Sequence, residues 1–409
     1  MSGRVFLSGA DLVLPDRIES GQSLVIEDGR IVDFLSGPRA MGVGEAHVQL
    51  PRAIIVPGFV DVHVHGVEGL DVLEGAASLA GVAARLPKYG VTAFCPTSIA
   101  CTPPVLESFL GGVAALRRGM PAGARVLPAH LESNFINPDY NGAQPLNCLR
   151  VPARSTARPA GDGEFSGAEI LGLIERHAAD VGIVTLAPEL EGGLALVRRL
   201  TQFGVRVSLG HSGATFDEGQ AAIAAGACHA THLFNRMPAM THREPGVAGA
   251  VLASEEVAAE LICDGHHVHQ AFVRMTLGAK GRSRVMAITD GTSGSGLPAG
   301  SRATLGGRPI TVRDVARLDD GTIAGSVATM DRVFAWLTGA CGLDLREAAE
   351  LCSTTPAREM GLIGHGVIAK GAAADLTILD RNFTVLQTWV GGAPAWGGTS
   401  AAREPSPLS

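Results

Sequence analysis

The chain contains few aromatic side chains. Aromatic residues make up 4% of its 409 residues, with only two tyrosines and three tryptophans, whereas 46% of the residues are hydrophobic. A core of adequate size must therefore consist mainly of Ala, Val, Leu and Ile. The charged fraction of 18% is too low, beside this hydrophobic content, for a disordered chain. The length exceeds one average domain and suits a large α/β barrel with an accessory domain.

Positive charge, cysteine motifs and long apolar runs are also scarce. The formal net charge of −7 leaves no polybasic surface of the kind that binds nucleic acid or anionic membranes. The seven cysteines lack a CxxC or zinc-ribbon spacing, which argues against a disulfide framework and favours a reducing compartment. The first residues lack a signal-peptide pattern, and no apolar segment approaches the ~20 residues of a transmembrane helix. We expect a cytoplasmic protein without nucleic-acid or membrane partners.

The order of strand-like and helix-like segments predicts two domains. Residues 1–56 contain short β-rich runs, with the hairpin signal EDGR between two of them. Residues 57–365 alternate strand-like and helix-like segments about eight times, which predicts a (β/α)8 TIM-type barrel. Residues 366–399 return to β-rich sequence, so both chain ends are expected to build one small β-sandwich domain. Residues 400–409 are typical of a flexible tail, and residues 150–167 of a lid, a binding loop or a disordered segment.

Two histidines stand one residue apart in the stretch VPGFVDVHVHGVEG, residues 56–69. Because successive side chains of a strand point to opposite faces, His63 and His65 are expected on one face and the alternating valines on the other. Two hydrogen-bonded core histidines would have the same spacing. A metal site is the alternative, since imidazole is a common metal ligand. Such a site needs further ligands at the ends of later strands.

Side chains of this kind follow at the ends of four later predicted strands. In a (β/α)8 barrel these ends form one rim, where the active site lies. Each residue alone is as easily structural, but together their nitrogen and oxygen donors suit Zn²⁺, Fe²⁺, Mn²⁺ or Co²⁺. The last two histidines of the set would lie on opposite faces of an extended segment. The residues are His130 and Glu132, then His211, then His229 and His232, and finally Asp290.

The chain resembles the amidohydrolase superfamily and, within it, the family of N-acetylglucosamine-6-phosphate deacetylases. The motifs that carry the resemblance occur in order along nearly the whole chain: PGFVDVHVHG, HLES, GHSGAT, THLFNRMPAM, REPGVAGA, DGHHVH, TDG, GTIAGS and GAAADL. The resemblance implies hydrolysis of an acetamide with the help of a metal ion that lowers the pKa of water. It implies Asp290 as the catalytic acid and base. The implied metal ligands are His63, His65, Glu132, His211 and His232.

The residues leave open whether one metal ion or two is bound. The HxH pair with Glu132 could hold one ion, and Glu132 with the two later histidines another. Many binuclear amidohydrolases bridge their metals with a carboxylated lysine, but Lys88, Lys280 and Lys370, the only lysines, fall outside the predicted barrel strands. Glu132 is therefore the expected bridge if two ions bind. Zinc is the expected metal, with iron, manganese or cobalt as alternatives.

The resemblance also implies a homodimer and a set of substrate-binding residues. Arg243 matches a phosphate-binding arginine of the family, and a guanidinium suits phosphate, although a surface salt bridge would use the same residue. His267 matches a substrate contact and is easily confused with its neighbour His266. The implied set comprises Ala143, Gln144, Asn235, Arg236, Arg243, His267, Ile323, Ala324 and Gly325.

Three departures from the family pattern bear on the substrate. Gln144 stands where the family usually has histidine, Arg236 where it has a small residue, and ESNF, residues 132–135, replaces EGPF. We expect all three close to the substrate, with Arg236 adding a cation for phosphate or another anion. The expected substrate is N-acetylglucosamine 6-phosphate, and N-acetylgalactosamine 6-phosphate or an N-acyl amino acid is the alternative. Retention of every implied ligand disfavours an inactive scaffold.

Overall fold

The centre of the molecule is a barrel of eight parallel strands. The computed structural model of the chain describes residues 3–37, 42, 45–119, 122–152 and 165–397. The barrel strands, β1 to β8, are Phe59–Val64, Val91–Ser98, Ala129–Glu132, Val181–Leu186, Arg206–Leu209, Ala227–Ala230, Ala258–Ile262 and Val285–Ile288. Each strand pairs in parallel with the next one along the chain.

The barrel closes between β8 and β1. Val64 forms a bridge with Gly291, just beyond β8. The Gly291 carbonyl also accepts from the backbone N–H groups of His65 and Gly66, at 2.8 and 3.0 Å. The predicted (β/α)8 barrel is confirmed. β3 is shorter than expected, because Pro128 has no N–H and separates it from the short strand Arg125–Val126.

Helices follow the barrel strands and cover their outer faces, where one large apolar cluster joins strand and helix side chains. Three of them begin with a capping box, at Ser166, Thr215 and Asp344, so a side chain satisfies the free N–H groups of the first turn. The α-helices are Ala76–Arg85, Pro103–Gly119, Gly167–Arg176, Gly193–Gln202, Phe216–Ala224, Gly246–Ala253, Gln270–Lys280, Met330–Gly339, Leu345–Ala349 and Thr355–Glu359. Single turns of other helix types are Leu86–Tyr89, Pro138–Tyr140, Leu146–Cys148, Ala178–Asp180, Arg282–Arg284 and Glu350–Thr354.

The two chain ends build a small β domain, as predicted. Its first sheet has the order Arg30–Ser36, Gln22–Glu27, Val5–Ser8 and Ala46–Gln49. Its second has the order Ala393–Trp396, Val385–Val390, Leu376–Leu379, Ile54–Pro57, Asp11–Val13 and Ile18–Glu19. The EDGR hairpin turns through Asp28 and Gly29, both with positive φ, which suits a two-residue hairpin loop. Apolar side chains from both sheets, including Leu24 and Ile378, form one buried cluster.

A three-stranded antiparallel sheet follows β8 and was not predicted. It consists of Arg302–Leu305, Arg308–Val312 and Ala316–Leu318. A smaller hairpin, Gly66–Val67 with Leu70–Asp71, follows β1. Both insertions lie at strand ends on the side of the barrel where the polar motifs gather.

The barrel interior combines an apolar cluster with a chain of buried polar groups. Val62 of β1 and Ile288 of β8 belong to the apolar cluster. On the other strands the Thr231 hydroxyl lies 2.6 Å from both the Thr185 and the Ser208 hydroxyls. The ring of His130 joins this chain through Thr185 at 2.7 Å. His130 therefore belongs to the polar packing of the interior.

Some predicted segments lie outside the described residues. Residues 153–164, most of the predicted lid or binding loop, are among them, as is the predicted tail, 400–409. Within the described ranges, no helix combines the length and apolarity that crossing a membrane requires.

Candidate metal centre and substrate cavity

A bulge in β1 turns the two histidines of the HxH motif into the barrel. Asp61 pairs with Phe94 and Val64 with Pro96, so β1 has one residue more than β2 over this stretch. Val60 and Val62 consequently face the interior cluster, whereas Val64 packs in the outer cluster. The expected strict alternation of valines and histidines is therefore wrong. The bulge is what brings both imidazoles onto the inner side.

Six side chains from five strand ends meet at the rim of the barrel. Asp290 Oδ1 lies 3.3 Å from His63 Nε2 and 3.2 Å from His65 Nε2, and the two ring nitrogens are 3.2 Å apart. We call His63, His65 and Asp290 the HxH group. Ligand atoms about 2.1 Å from one ion lie roughly 3 to 3.5 Å apart, so the spacing suits a metal.

The second group is formed by Glu132, His211 and His232. Glu132 Oε1 lies 2.9 Å from the Nε2 atoms of both histidines, which are 3.1 Å from each other. We call Glu132, His211 and His232 the Glu132 group. Glu132 also faces the HxH group, since its oxygens lie 3.8 Å from His63 Nε2 and 3.7 Å from His65 Nε2. We expected Glu132 to complete the ligand set of the HxH pair. In the structure Asp290 lies nearer to these two histidines than Glu132 does.

The far nitrogens of three of these rings have acceptors that fix the tautomer. The Nδ1–H of His65 donates to the Thr97 carbonyl at 2.9 Å, and that of His211 to the Tyr140 carbonyl at 2.8 Å. His63 Nδ1 donates to Glu260 Oε2 at 3.0 Å. Each Nε2 lone pair is then free to face the centre, as a metal ligand requires. The donor set and its tautomers suit a divalent metal.

Burial and neighbouring charges give the side chains of the centre different pKa values. Burial lowers the pKa of His63 to about 3, which keeps the ring neutral. Burial also opposes charge on His65, but the hydrogen bond with Asp290 and the charge of Glu132 raise its pKa to about 9. Burial would raise the pKa of both carboxyls, yet the facing imidazoles hold the pKa of Asp290 below, and that of Glu132 well below, its usual range. Without a metal, the centre holds a His65–Asp290 ion pair.

Three residues of the centre adopt left-handed backbone conformations. The φ angles are 48° at His211, 31° at His232 and 49° at Asp290. Such conformations cost about 1–3 kcal/mol each, so the surrounding hydrogen bonds must impose them. Asn137 N–H donates to the His211 carbonyl, and Ser326 N–H to that of Asp290.

The same backbone turn corrects the expectation for the CHATHLF segment. β6 ends at Ala230, and His232 leaves the extended conformation, so its ring reaches Glu132 and His211. His229 points into the interior instead, where its Nε2 lies 3.5 Å from Glu359 Oε2. The two histidines thus serve different sites, although not because they lie on opposite faces of one strand.

A cavity of about 440 Å³ opens onto the centre. Seven of the nine predicted substrate-binding residues line it: Ala143, Gln144, Asn235, Arg236, His267, Ile323 and Gly325. Ala324 is buried behind the lining. Gly325 must lack a side chain, because a Cβ there would lie 2.9 Å from the Asp290 carbonyl oxygen. Arg243 lies outside the lining, exposed on the segment before helix Gly246–Ala253.

His267 presents a free ring nitrogen to this cavity. Its Nδ1 donates to Asp264 Oδ2 at 2.7 Å, and its buried Nε2 has no partner among the described residues. The neighbouring His266 is exposed and does not line the cavity. His267 is therefore the member of the pair that can contact a ligand.

Arg236 is the one arginine or lysine lining this cavity within the described part of the chain. Its side chain passes over Gly142, where an added Cβ would lie 2.7 Å from Arg236 Nε. Among the described residues, no carboxylate is paired with its guanidinium, which is exposed. The side chain is thus available to an anionic ligand.

The departures in the ESNF segment have structural roles. The Asn134 amide donates to the carbonyls of Cys101 and Cys148, at 2.8 and 2.7 Å, and ties two rim loops together. The Ser133 hydroxyl donates to the Thr185 carbonyl at 2.6 Å. Neither side chain lines the cavity, whereas Glu132 of the same segment does.

Sequence reasoning missed Glu260. This fully buried carboxylate on β7 accepts from His63 and lies 3.4 Å from the backbone nitrogen of His232, so it supports both groups. Burial raises its pKa. The available signal was a single charged residue within the apolar run AAELI, since a strand buried on both faces rarely contains one.

Comparison with known proteins identifies the family. The Amidohydrolase family model matches residues 54–395, and the chain belongs to this family. N-acetylglucosamine-6-phosphate deacetylase of Danio rerio is 34% identical over 371 residues, covering 87% of each chain. N-acetylgalactosamine-6-phosphate deacetylase of Escherichia coli O157:H7 is 35% identical over 343 residues, covering 83% of this chain and 87% of that protein.

Solved structures agree with this assignment. N-acetyl-D-glucosamine-6-phosphate deacetylase of Mycobacterium smegmatis, a variant in complex with N-acetyl-D-glucosamine-6-phosphate, superposes with a TM-score of 0.83 at 30% identity. The alignment covers 96% of this chain and 99% of that one. N-acetylglucosamine-6-phosphate deacetylase of Pasteurella multocida gives a TM-score of 0.86 at 26% identity, with the same coverage. The resemblance seen in the sequence motifs is confirmed.

The His65–Asp290 pair predicts a pH-dependent stability of the metal-free protein. A raised folded-state pKa contributes stability that is complete below the unfolded value of about 6.5 and is lost as pH rises through about 9. In thermal melts of chelated protein, the stability advantage of the wild type over His65→Asn should shrink between these pH values. The exposed His266→Asn is the control. An advantage that stays constant across this range would contradict the pairing.

Proposed function

We infer that this protein is a metal-dependent deacetylase that removes the acetyl group of N-acetylglucosamine 6-phosphate, giving glucosamine 6-phosphate and acetate. The observation that carries this inference is that the HxH group, which includes Asp290, and the Glu132 group meet at one cavity. Relatives of this name at 31–34% identity over most of the chain support the substrate.

Asp290 is the proposed acid and base. Its carboxyl lines the cavity, and its lowered pKa keeps it ionised and able to accept a proton from water. It then returns this proton to the nitrogen of the departing amine, a poor leaving group without protonation. A bound divalent metal would supply a water molecule of lowered pKa and polarise the acetamide carbonyl. His63, His65, Glu132, His211 and His232 are the proposed ligands.

Zinc is the proposed metal, because imidazole nitrogens and carboxylate oxygens in a closely spaced set suit it, although iron, manganese and cobalt accept the same donors. We propose a cytoplasmic enzyme, supported by seven cysteines that are all unpaired. We also propose a homodimer. Arg243, exposed and outside its own chain's cavity, is available to the cavity of a second copy.

On the substrate side, the proposed contacts surround the mouth of the cavity. Arg236 carries the charge for the phosphate group, and His267 offers its free Nε2 to a sugar or phosphate oxygen. Ala143, Gln144, Asn235, Ile323 and Gly325, which line the cavity, are the proposed contacts of the sugar, and Ala324, buried behind the lining, is proposed to hold its two neighbours in place. Arg243 is proposed as a second phosphate contact, supplied across the dimer.

A second candidate substrate is N-acetylgalactosamine 6-phosphate. The Escherichia coli relative of that name is 35% identical, and the relatives named N-acetylglucosamine-6-phosphate deacetylase are 31–34% identical. Gln144 and Arg236 are the departures that line the cavity, so they are where the preference between epimers is expected to arise.

Acetate release tests the proposal directly. Freshly purified protein is expected to release acetate from N-acetylglucosamine 6-phosphate, to lose this activity on chelation and to regain it with zinc or iron. N-acetylgalactosamine 6-phosphate, unphosphorylated N-acetylglucosamine and an N-acetyl amino acid are assayed in parallel. Metal content is measured on the same sample. If the protein binds metal tightly but releases acetate from neither sugar phosphate, the proposed metal site stands and the proposed substrate is rejected.

Replacing Asp290 separates proton transfer from metal binding. Asp290→Asn keeps the shape of the side chain but removes its basicity, so turnover should fall by about 10²-fold or more. Metal content, measured by elemental mass spectrometry, should stay near the wild-type value. Loss of metal in this variant would mean that Asp290 is itself a metal ligand, so the loss of turnover could not be assigned to proton transfer.

Replacing Arg236 tests the anion contact. Arg236→Ala should raise KM for the 6-phosphorylated sugar about 10- to 100-fold, the scale of a lost charge-assisted hydrogen bond. Turnover of the unphosphorylated sugar should change little. Arg198→Ala, at an exposed position on the outer helices, is the control, and Arg243→Ala tests the proposed second contact. Equal effects of Arg236→Ala on both sugars would reject the anion contact.

A further inference from the structure

A second cavity lies beside the substrate cavity. Its volume is about 740 Å³, and Gln144 is the one residue, within the described part of the chain, that lines both cavities. Ala143 and Leu305 line the substrate cavity, whereas their chain neighbours Gly142 and Gly306 line the second one. These two backbone segments therefore form a wall between the cavities, and the side chain of Gln144 fills the gap that remains in it.

Gln144 is fixed in this wall by hydrogen bonds from both ends of its amide. Its Oε1 accepts from the backbone N–H of Ala100 at 2.7 Å, and its Nε2 donates to Glu132 Oε2. The side chain is 3% exposed. Turning it aside would leave a backbone N–H and a buried carboxylate oxygen each without a partner. The wall is therefore expected to stay closed in the folded protein.

The second cavity is apolar on the side that adjoins Gln144. Ala100, which is bonded to the Gln144 amide, lies between Ile99 and Cys101 in the chain. All three residues line the second cavity and are at most 7% exposed. The two carboxylates of the lining are exposed at the surface instead. An apolar lining of this kind suits an alkyl chain, because moving methylene groups out of water is favourable.

The acyl group of the proposed substrate must come close to this wall. Hydrolysis takes place at the acyl carbonyl carbon, which has to lie where the HxH group and the Glu132 group meet at the cavity. The Gln144 side chain borders this position, since it lines the same cavity and is bonded to Glu132. The alkyl part of the acyl group begins one bond from the carbonyl carbon and is thus within reach of Gln144.

We propose that Gln144 limits the length of the acyl group that the enzyme removes. The alkyl end of the acyl group is directed at the Gln144 amide, which leaves room for acetyl and excludes longer chains. A smaller residue at this position joins the two cavities, and a straight alkyl chain then extends along Ile99 and Ala100. This inference rests on the proposed deacetylase function and names the feature that confines it to short acyl groups.

Turnover of N-acyl glucosamine 6-phosphates by the metal-loaded enzyme tests the proposal. The measured quantity is kcat/KM for the N-hexanoyl form divided by kcat/KM for the N-acetyl form. In the wild type this ratio is expected to be about 0.01 or less, because the wall excludes the chain. Gln144→Ala should raise the ratio about tenfold or more, since each methylene that enters an apolar cavity strengthens binding about fourfold. If the wild type prefers N-acetylgalactosamine 6-phosphate, the acyl series is made on that sugar.

Gln144→Leu separates the effect of space from that of hydrogen bonding. Leucine also removes the amide donor to Glu132, but it fills the gap, so the ratio should stay near the wild-type value while both rates fall. Gln144→Asn keeps an amide on a shorter side chain and should raise the ratio for the N-butyryl form, which tests the proposal if the alanine variant does not fold. The exposed Gln202→Ala is the control, and circular dichroism and metal content are measured on every variant.

Binding without turnover gives a second readout. Calorimetry is carried out in the Asp290→Asn background, where turnover is expected to be lost. The N-hexanoyl sugar phosphate should bind about tenfold more tightly when Gln144→Ala is added to this background. Affinity for the N-acetyl form should not rise, because acetyl does not reach the second cavity.

Two results would overturn the proposal. One is a wild-type enzyme that removes hexanoyl and acetyl groups with similar kcat/KM, which requires no variant. The other is a folded, metal-bound Gln144→Ala whose ratio equals that of Gln144→Leu. Either result combined with acetate release rejects this inference and leaves the proposed function standing. No acetate release from any N-acetyl sugar phosphate rejects the proposed function and this inference with it.

Discussion

Carboxylates buried inside the barrel constrain everything around them. Taking an ionised carboxylate out of water costs several kcal/mol unless donors replace the lost hydration. Glu132, Asp290 and Glu260 are all at most 7% exposed, and each faces at least two imidazoles or backbone donors. The histidines need acceptors in turn, so the carboxylates and imidazoles hold one another in place. A divalent ion would complete this balance by adding positive charge where acceptors gather.

That balance also accounts for the strained backbone at the rim. Left-handed conformations at His211, His232 and Asp290 are unfavourable for residues with side chains. They persist because the preceding strands are fixed in the barrel and because backbone hydrogen bonds on both sides leave no alternative. The rigid strands thus set the direction of each donor, and the loops beyond them shape the cavity.

The sequence predicted the barrel and the small β domain, because these depend on local pattern, and it named the six side chains that the structure brings together at the rim. Strand ends of a parallel barrel meet at one rim whatever the loops do, so His63, Glu132 and Asp290 could be assigned to one site. The bulge in β1 could not be predicted, since it arises from pairing with β2. Glu260 was missed because it supports the centre from within a strand. The amide of Gln144 donates to Glu132 Oε2, and this contact could not be predicted because it depends on how two loops pack.

The small β domain has a consequence for synthesis of the chain on the ribosome. Strand Ile54–Pro57 lies between Asp11–Val13 and Leu376–Leu379, and the whole barrel separates its two neighbours along the chain. The N-terminal strands therefore emerge long before their partners and keep an unpaired edge while the barrel is made. This sheet can be completed only after Leu376–Leu379 has been synthesised, and it joins segments that come before and after the barrel in the chain.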